Sequence, residues 1–161
     1  MESFNDDYQK ALRYAFLLLR YRDRSENEIV QRLKRKGFSE DTGRSIGIYL
    51  KERGFIDDVR LAEALKKAAV EQKHLGRRGV LHYMLLRGIP SELIDRIAGN
   101  DDEYLESACA FIDKKAKQIR GLERIDMKKR LWAALVRKGF ATEIIKRAMK
   151  LHFDNEEISE E

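Results

Sequence analysis

Apolar residues recur along this chain at intervals of three and four, with no sustained interval of two. Leu12, Ala15, Phe16 and Leu19 form one stripe; Leu61, Ala62, Leu65 and Ala69 a second; Leu105, Ala108, Cys109 and Ile112 a third. This spacing predicts amphipathic helices over about Asp7–Arg22, after Asp57-Asp58 and after Asn100-Asp101-Asp102, and it predicts no sheet. Acidic residues at those starts suit the positive end of a helix.

A longer period underlies the short one. Gly37-Phe38, Gly88-Ile89 and Gly139-Phe140 lie 51 residues apart, each glycine following a basic residue (Lys36, Arg87, Lys138). Eight positions before each glycine stands Ile29, Val80 or Leu131, and four before stands Leu33, Met84 or Leu135. Each middle helix therefore ends on a glycine that takes the left-handed position, with the next apolar residue packing back on the last turn. A third helix follows, with Ile46, Ile97 and Ala148 in one register column. Ser39, Ser91 and Thr142 are the predicted caps of these third helices, and Pro90 suits a first helical turn. Ser25 and Glu28 have the spacing of a capping box for the first middle helix.

The expected fold is all-α, with three tandem three-helix repeats at 7–56, 57–99 and 100–153 and an acidic disordered tail at 154–161. Units this small bury little alone, so neighbours should pack into an elongated, curved array. One globular helical bundle is the alternative.

Charge sharpens the picture. The 161 residues carry 33 basic and 28 acidic groups; five of the acidic ones lie in the last eleven residues, leaving the rest at +10. A body that basic favours polyanions or acidic protein surfaces, although cations also simply solubilise helices. There is no run of 18 apolar residues to span a membrane, and the polar, acidic N-terminus is unlike a secretory signal. The single cysteine excludes an internal disulfide. Together these features predict a cytoplasmic protein.

Enzymatic signatures are missing. There is no G-x-x-x-x-G-K-[ST], G-x-S-x-G or H-E-x-x-H. His74, His82 and His152, with Cys109, do not have the spacing of a metal site, so neither metal nor cofactor is expected. Cys109 reads as a small buried hydrophobe. Asp57-Asp58 reads as a helix start rather than a catalytic pair, because adjacent helical residues point in different directions. Trp132 reads as core or boundary packing, with a partner anchor as the other reading.

Four basic clusters are the candidate binding residues: Arg20, Arg22 and Arg24; Arg32, Lys34, Arg35 and Lys36; Arg77 and Arg78; and Lys128, Lys129, Arg130, Arg137 and Lys138. Lys36, Arg87 and Lys138 are assigned mainly to helix C-termini, where a cation gains roughly 0.3–1 kcal/mol. Arg77 and Arg78 break that rule by opening a helix. They are expected to meet an anion together with free backbone N–H groups.

Several ordered segments resemble the RecX family of bacterial recombination regulators. They are Arg22-x-x-Ser25-x-x-Glu28-Ile29, Leu33-x-x-Lys36-Gly37-Phe38, Gly54-Phe55-Ile56-Asp57-Asp58 with Leu61-Ala62, Gly76-Arg77-Arg78-Gly79-Val80, and Leu135-x-x-Lys138-Gly139-Phe140. The resemblance covers about residues 8–152. One departure is Arg77, where family members often carry proline. The resemblance implies a non-enzymatic, monomeric modulator of the RecA recombinase. It would lie in the groove of the RecA–single-stranded DNA filament and suppress ATP hydrolysis and strand exchange. Contacts with single-stranded, and also double-stranded, DNA would be weak and non-specific. The alternatives are an independent helix-turn-helix-like DNA-binding protein and a protein-only scaffold.

Overall fold

A computed structural model describes the backbone of residues 2–159 and the side chains of residues 6–154. Among these residues the chain is all-helical, with three helices per repeat. The first repeat contains α1 (Glu2–Tyr21), α2 (Glu26–Lys36) and α3 (Glu40–Glu52); the second α4 (Asp58–Glu71), α5 (Arg77–Leu86) and α6 (Ser91–Ala98). The third contains a 3-10 turn (Asp101–Tyr104), α7 (Leu105–Gln118), α8 (Arg124–Arg137) and α9 (Thr142–Ser159). Helical backbone thus continues from Asp154 to Ser159, where a disordered tail was expected. Each added helical residue gains a backbone hydrogen bond once the helix is nucleated, and buried Phe153 ties down this one. Glu160 and Glu161 lie outside the described residues.

Contacts gather the chain into two compact units. One contains residues up to Ala64 together with Met84–Leu93; the other contains Leu65–Tyr83 together with Ile94 onward. The middle repeat therefore contributes to both.

In the first unit α1, α2 and α3 pack on one another around Ala11, Ala15, Leu18, Ile29, Leu33, Ile46, Leu50 and Ile56. The deepest line of α1 is one residue off the expected stripe: Ala11 and Ala15 are fully buried, while Leu12, Phe16 and Leu19 flank them half-buried. Small alanines let the other two helices approach. In the second unit α7, α8 and α9 pack together over Ala108, Ile112, Leu131, Leu135, Ile145 and Ala148. Cys109 is only half-buried there, and burial pushes its thiol pKa up.

Two of the 51-residue columns are wholly interior, whereas Ile97 in the column of Ile46 and Ala148 is only half-buried. Ile29, Val80 and Leu131, and likewise Leu33, Met84 and Leu135, have no exposed surface. Each middle helix closes with the same pair of bonds. Gly37, Gly88 and Gly139 donate to the carbonyls of Lys34, Leu85 and Val136, while Phe38, Ile89 and Phe140 donate to those of Leu33, Met84 and Leu135. This is the Schellman closure, and it requires the left-handed glycine (φ 102°, 73° and 83°).

The caps are less uniform than expected. Ser39 caps α3, its hydroxyl accepting from the Thr42 amide at 3.1 Å. Ser91 and Thr142 are instead the first residues of their helices. The two acids at the start of α4 serve different helices. Asp57 accepts from the Arg60 amide of its own helix at 3.0 Å, and Asp58 accepts from the Glu26 amide opening α2, also at 3.0 Å. Burial raises the pKa of Asp58.

Candidate polyanion-binding surface

Each unit contains one contact between the N-terminus of a middle helix and the C-terminus of another, and these contacts decide which basic residues stay available. In the first unit the N-terminus of α2 meets the C-terminus of α5. Ser25 accepts from the Glu28 amide at 3.1 Å and donates to the Arg87 carbonyl at 2.7 Å, while Asn27 donates to the Gly88 carbonyl at 3.1 Å. Only half of the capping box forms, because the Glu28 carboxylate turns to arginines. It holds Arg22 through two bonds (3.0 and 2.5 Å), pairs with Arg24, and lies 3.8 Å from Arg87 Nε. Burial works to raise the pKa of Glu28, but Arg22 and Arg24 outweigh it and hold the carboxyl below its ordinary range.

Of the two expected partner contacts, Arg24 is buried against Glu28, whereas Arg22 pairs with Glu28 from an exposed position. Arg24 is 9% exposed and also donates to the Leu18 carbonyl at 3.2 Å. A carboxylate with so little solvent requires such partners.

At the expected anion site, Arg77 and Arg78 have different surroundings. In the second unit the N-terminus of α5 is already occupied by the C-terminus of α8. The Gly76 and Arg78 amides donate to the carbonyls of Lys138 (3.0 Å) and Gly139 (3.1 Å). Those carbonyls take up the Gly76 and Arg78 N–H groups, two of those an anion would have used. Arg77 turns its Nε to the Gly99 carbonyl, 2.7 Å away at the end of α6, and the same helix end receives the Tyr104 hydroxyl on the Ala98 carbonyl at 2.5 Å. Burial pushes the Tyr104 phenol up to about 12. Arg78 keeps an exposed side chain.

The other predicted cations are exposed but dispersed. Arg20 sits in the last turn of α1. Arg32 and Arg35 line a cleft of about 340 Å³ beside exposed Leu85 and Leu86. Lys34 lies 3.7 Å from Glu40, and Arg130 is on the open side of α8. Lys128 and Lys129 flank a groove formed by α8 and α9.

Arg137 lies in a setting that sequence spacing did not expose. It lines a recess of about 670 Å³ in the second unit with Lys73, Lys114, Lys115 and Lys138, and no Asp or Glu is among the described residues that line it. The cations come from the α4–α5 connection, from α7 and from α8. His74, the one non-glycine residue with positive φ (49°) among the described residues, also lines it. Burial, then Lys114 and Lys73, hold the Lys138 amine below its usual range; burial, then Lys114 and Lys138, do the same to the His74 imidazole. Like charges that depress one another are relieved when an anion arrives. The adjacent Lys114-Lys115 pair was the one signal in the sequence. Without a fold, it reads as helix C-terminal charge. Among the described residues no group of three or more His, Cys, Asp or Glu could hold a metal ion. Nor is any helix among them long and apolar enough to cross a membrane.

These features define a tandem three-helix-repeat protein with cationic recesses. Family models match two of its repeats: RecX, first three-helix domain, over residues 8–43, and RecX, third three-helix domain, over residues 101–149. The chain belongs to the RecX family. The regulatory protein RecX of Amycolatopsis mediterranei is 29% identical over 135 residues, which is 83% of this chain and 77% of that protein. The regulatory protein RecX of Staphylococcus saprophyticus is 31% identical over 147 residues, or 89% of this chain and 53% of that protein. The chain thus spans little more than half the length of some relatives, including 59% of a Geobacillus protein. In fold it is similar to the crystal structure of RecX from Lactobacillus salivarius (TM-score 0.77, 21% identity, 91% of this chain and 96% of that one).

Proposed function

We propose that this chain is a negative modulator of the RecA recombinase that binds the RecA–single-stranded DNA filament in its groove and suppresses ATP hydrolysis and strand exchange. Membership of a family whose relatives are named regulatory proteins carries this reading. The uncompensated cations of the Arg137 recess support it, since a nucleoprotein filament presents phosphates and acidic protein surface together.

The alternative, an independent helix-turn-helix reader of duplex DNA, fits the side chains less well. Such a reader presents the N-terminus of its recognition helix to base edges. Here the first turns of α3, α6 and α9 carry Glu40 and Asp41, Glu92 and Glu143, which phosphates would repel.

The test is ATP hydrolysis by the cognate recombinase on single-stranded DNA, titrated with this protein. Hydrolysis should fall at near-stoichiometric amounts. Unchanged hydrolysis together with no binding to the filament would overturn the proposal.

A further inference from the structure

The second unit contains another feature, on the other side of α8. Trp132 is 37% exposed on a helix whose Leu131 and Leu135 are fully buried, and it faces a groove closed by α9. Met149 and Phe153 complete an apolar floor. Lys128 and Lys129 stand one turn before Trp132 on one wall; Lys146 and Lys150, one turn apart, stand on the other. Four residues of helix rise about 6 Å, so Lys146 and Lys150 place cations at that interval along the α9 wall. Lys128 lies over the Phe153 ring at 4.7 Å, and Arg124 over the same ring at 5.4 Å. Among the described residues Lys129 and Lys146 pair with carboxylates on their own helices, Asp126 at 4.0 Å and Glu143 at 2.9 Å, both in exposed, weak contacts. Asp154 is the one acidic residue among the described residues that line the groove.

We infer that this groove is a stacking site for unpaired bases of single-stranded DNA, with Trp132 as the platform and the lysines of α8 and α9 as the phosphate contacts. An exposed aromatic face between two rows of cations is the arrangement by which proteins hold single strands without sequence preference. A duplex conceals its base faces and offers only base edges and phosphates, so it gives an indole nothing to stack on. An acidic peptide would satisfy the lysines but leaves no reason for an open indole between them. The inference rests on the preceding proposal for its choice of single-stranded DNA as the polyanion. Its site is independent of the Arg137 recess.

Trp132 is the only tryptophan in the sequence, so it reports on its own occupancy. An oligothymidylate titrated into the full chain without recombinase should quench the indole fluorescence saturably, and duplex of equal length should not. Anisotropy of a labelled oligothymidylate should show about tenfold weaker binding for Trp132→Ala, since one base–aromatic stack is worth roughly 1–3 kcal/mol. Trp132→Phe should retain affinity within about threefold, with helicity unchanged in both variants. Absent quenching, or equal affinity in Trp132→Ala, overturns the site. Quenching by polyglutamate but not by oligothymidylate also overturns it and assigns the groove to an acidic segment. If DNA binding behaves as expected while recombinase hydrolysis is untouched, the groove stands and only the filament proposal falls.

Discussion

The two helix-end joints occupy equivalent positions in the repeat but use different chemistry. Where the first has Ser25 and Glu28, the second, 51 residues on, has Gly76 and Gly79; where the first receives on Arg87 and Gly88, the second receives on Lys138 and Gly139. In both, a helix N-terminus meets a helix C-terminus, so the partial charges are complementary. The first joint is made by side chains around the Glu28–arginine cluster. The second is made by backbone alone. A Cβ on Gly76 would lie 2.4 Å from the Phe140 backbone, one on Gly79 2.4 Å from the Lys138 carbonyl oxygen, and one on Gly139 2.3 Å from the Gly79 amide. One geometric problem thus has a polar solution, sensitive to charge, and a steric solution, sensitive to volume.

The largest effect should come from volume. Gly76→Ala forces backbone apart and should destabilise the chain by about 3 kcal/mol, the upper end for overpacking, seen as a lower urea midpoint. A loss below about 1 kcal/mol would mean that the second joint can open without harm. Next comes charge. Glu28→Gln leaves the largely buried Arg24 without its counter-ion and should cost about 2–3 kcal/mol. Because Glu28 has a depressed pKa in the folded state, its contribution is present above the ordinary carboxylate pKa and is lost as pH falls through the folded one. Wild type should therefore lose stability on acidification more steeply than Glu28→Gln, and parallel pH–stability curves would show that the cluster is inert. Ser25→Ala removes the α2 cap and the donor to the Arg87 carbonyl, for about 1–2 kcal/mol in thermal unfolding. The smallest effect has the opposite sign. A Cβ on Gly43, inside α3, meets Val30 at an ordinary 3.6 Å, so Gly43→Ala should stabilise by up to about 1 kcal/mol.

Much of this architecture was legible beforehand. The period of 51 located the three Schellman closures because local geometry alone demands glycine there, and it located the buried columns because a helix repeats its inward face every three or four residues. The +10 body and the ordered family segments pointed to a macromolecular partner. The binding residues were less legible, because exposure and pairing are properties of packing. Arg24 and Arg77 look like surface cations until their partners, Glu28 and the Gly99 carbonyl, are placed beside them.

The sequence by itself determined the helices and the glycine ends of the middle ones, which depend on residues within about eight positions of one another, and displayed the repeat as a period of 51. Only the tertiary structure decided that Gly76 and Gly79 are fixed by contact with Lys138, Gly139 and Phe140, some 60 residues away. It also brought Lys73, Lys114 and Arg137 into one recess and set Trp132 between the lysines of two helices. Electrostatic and steric interactions depend on distance in space, and a linear pattern does not carry that distance until the helices have packed.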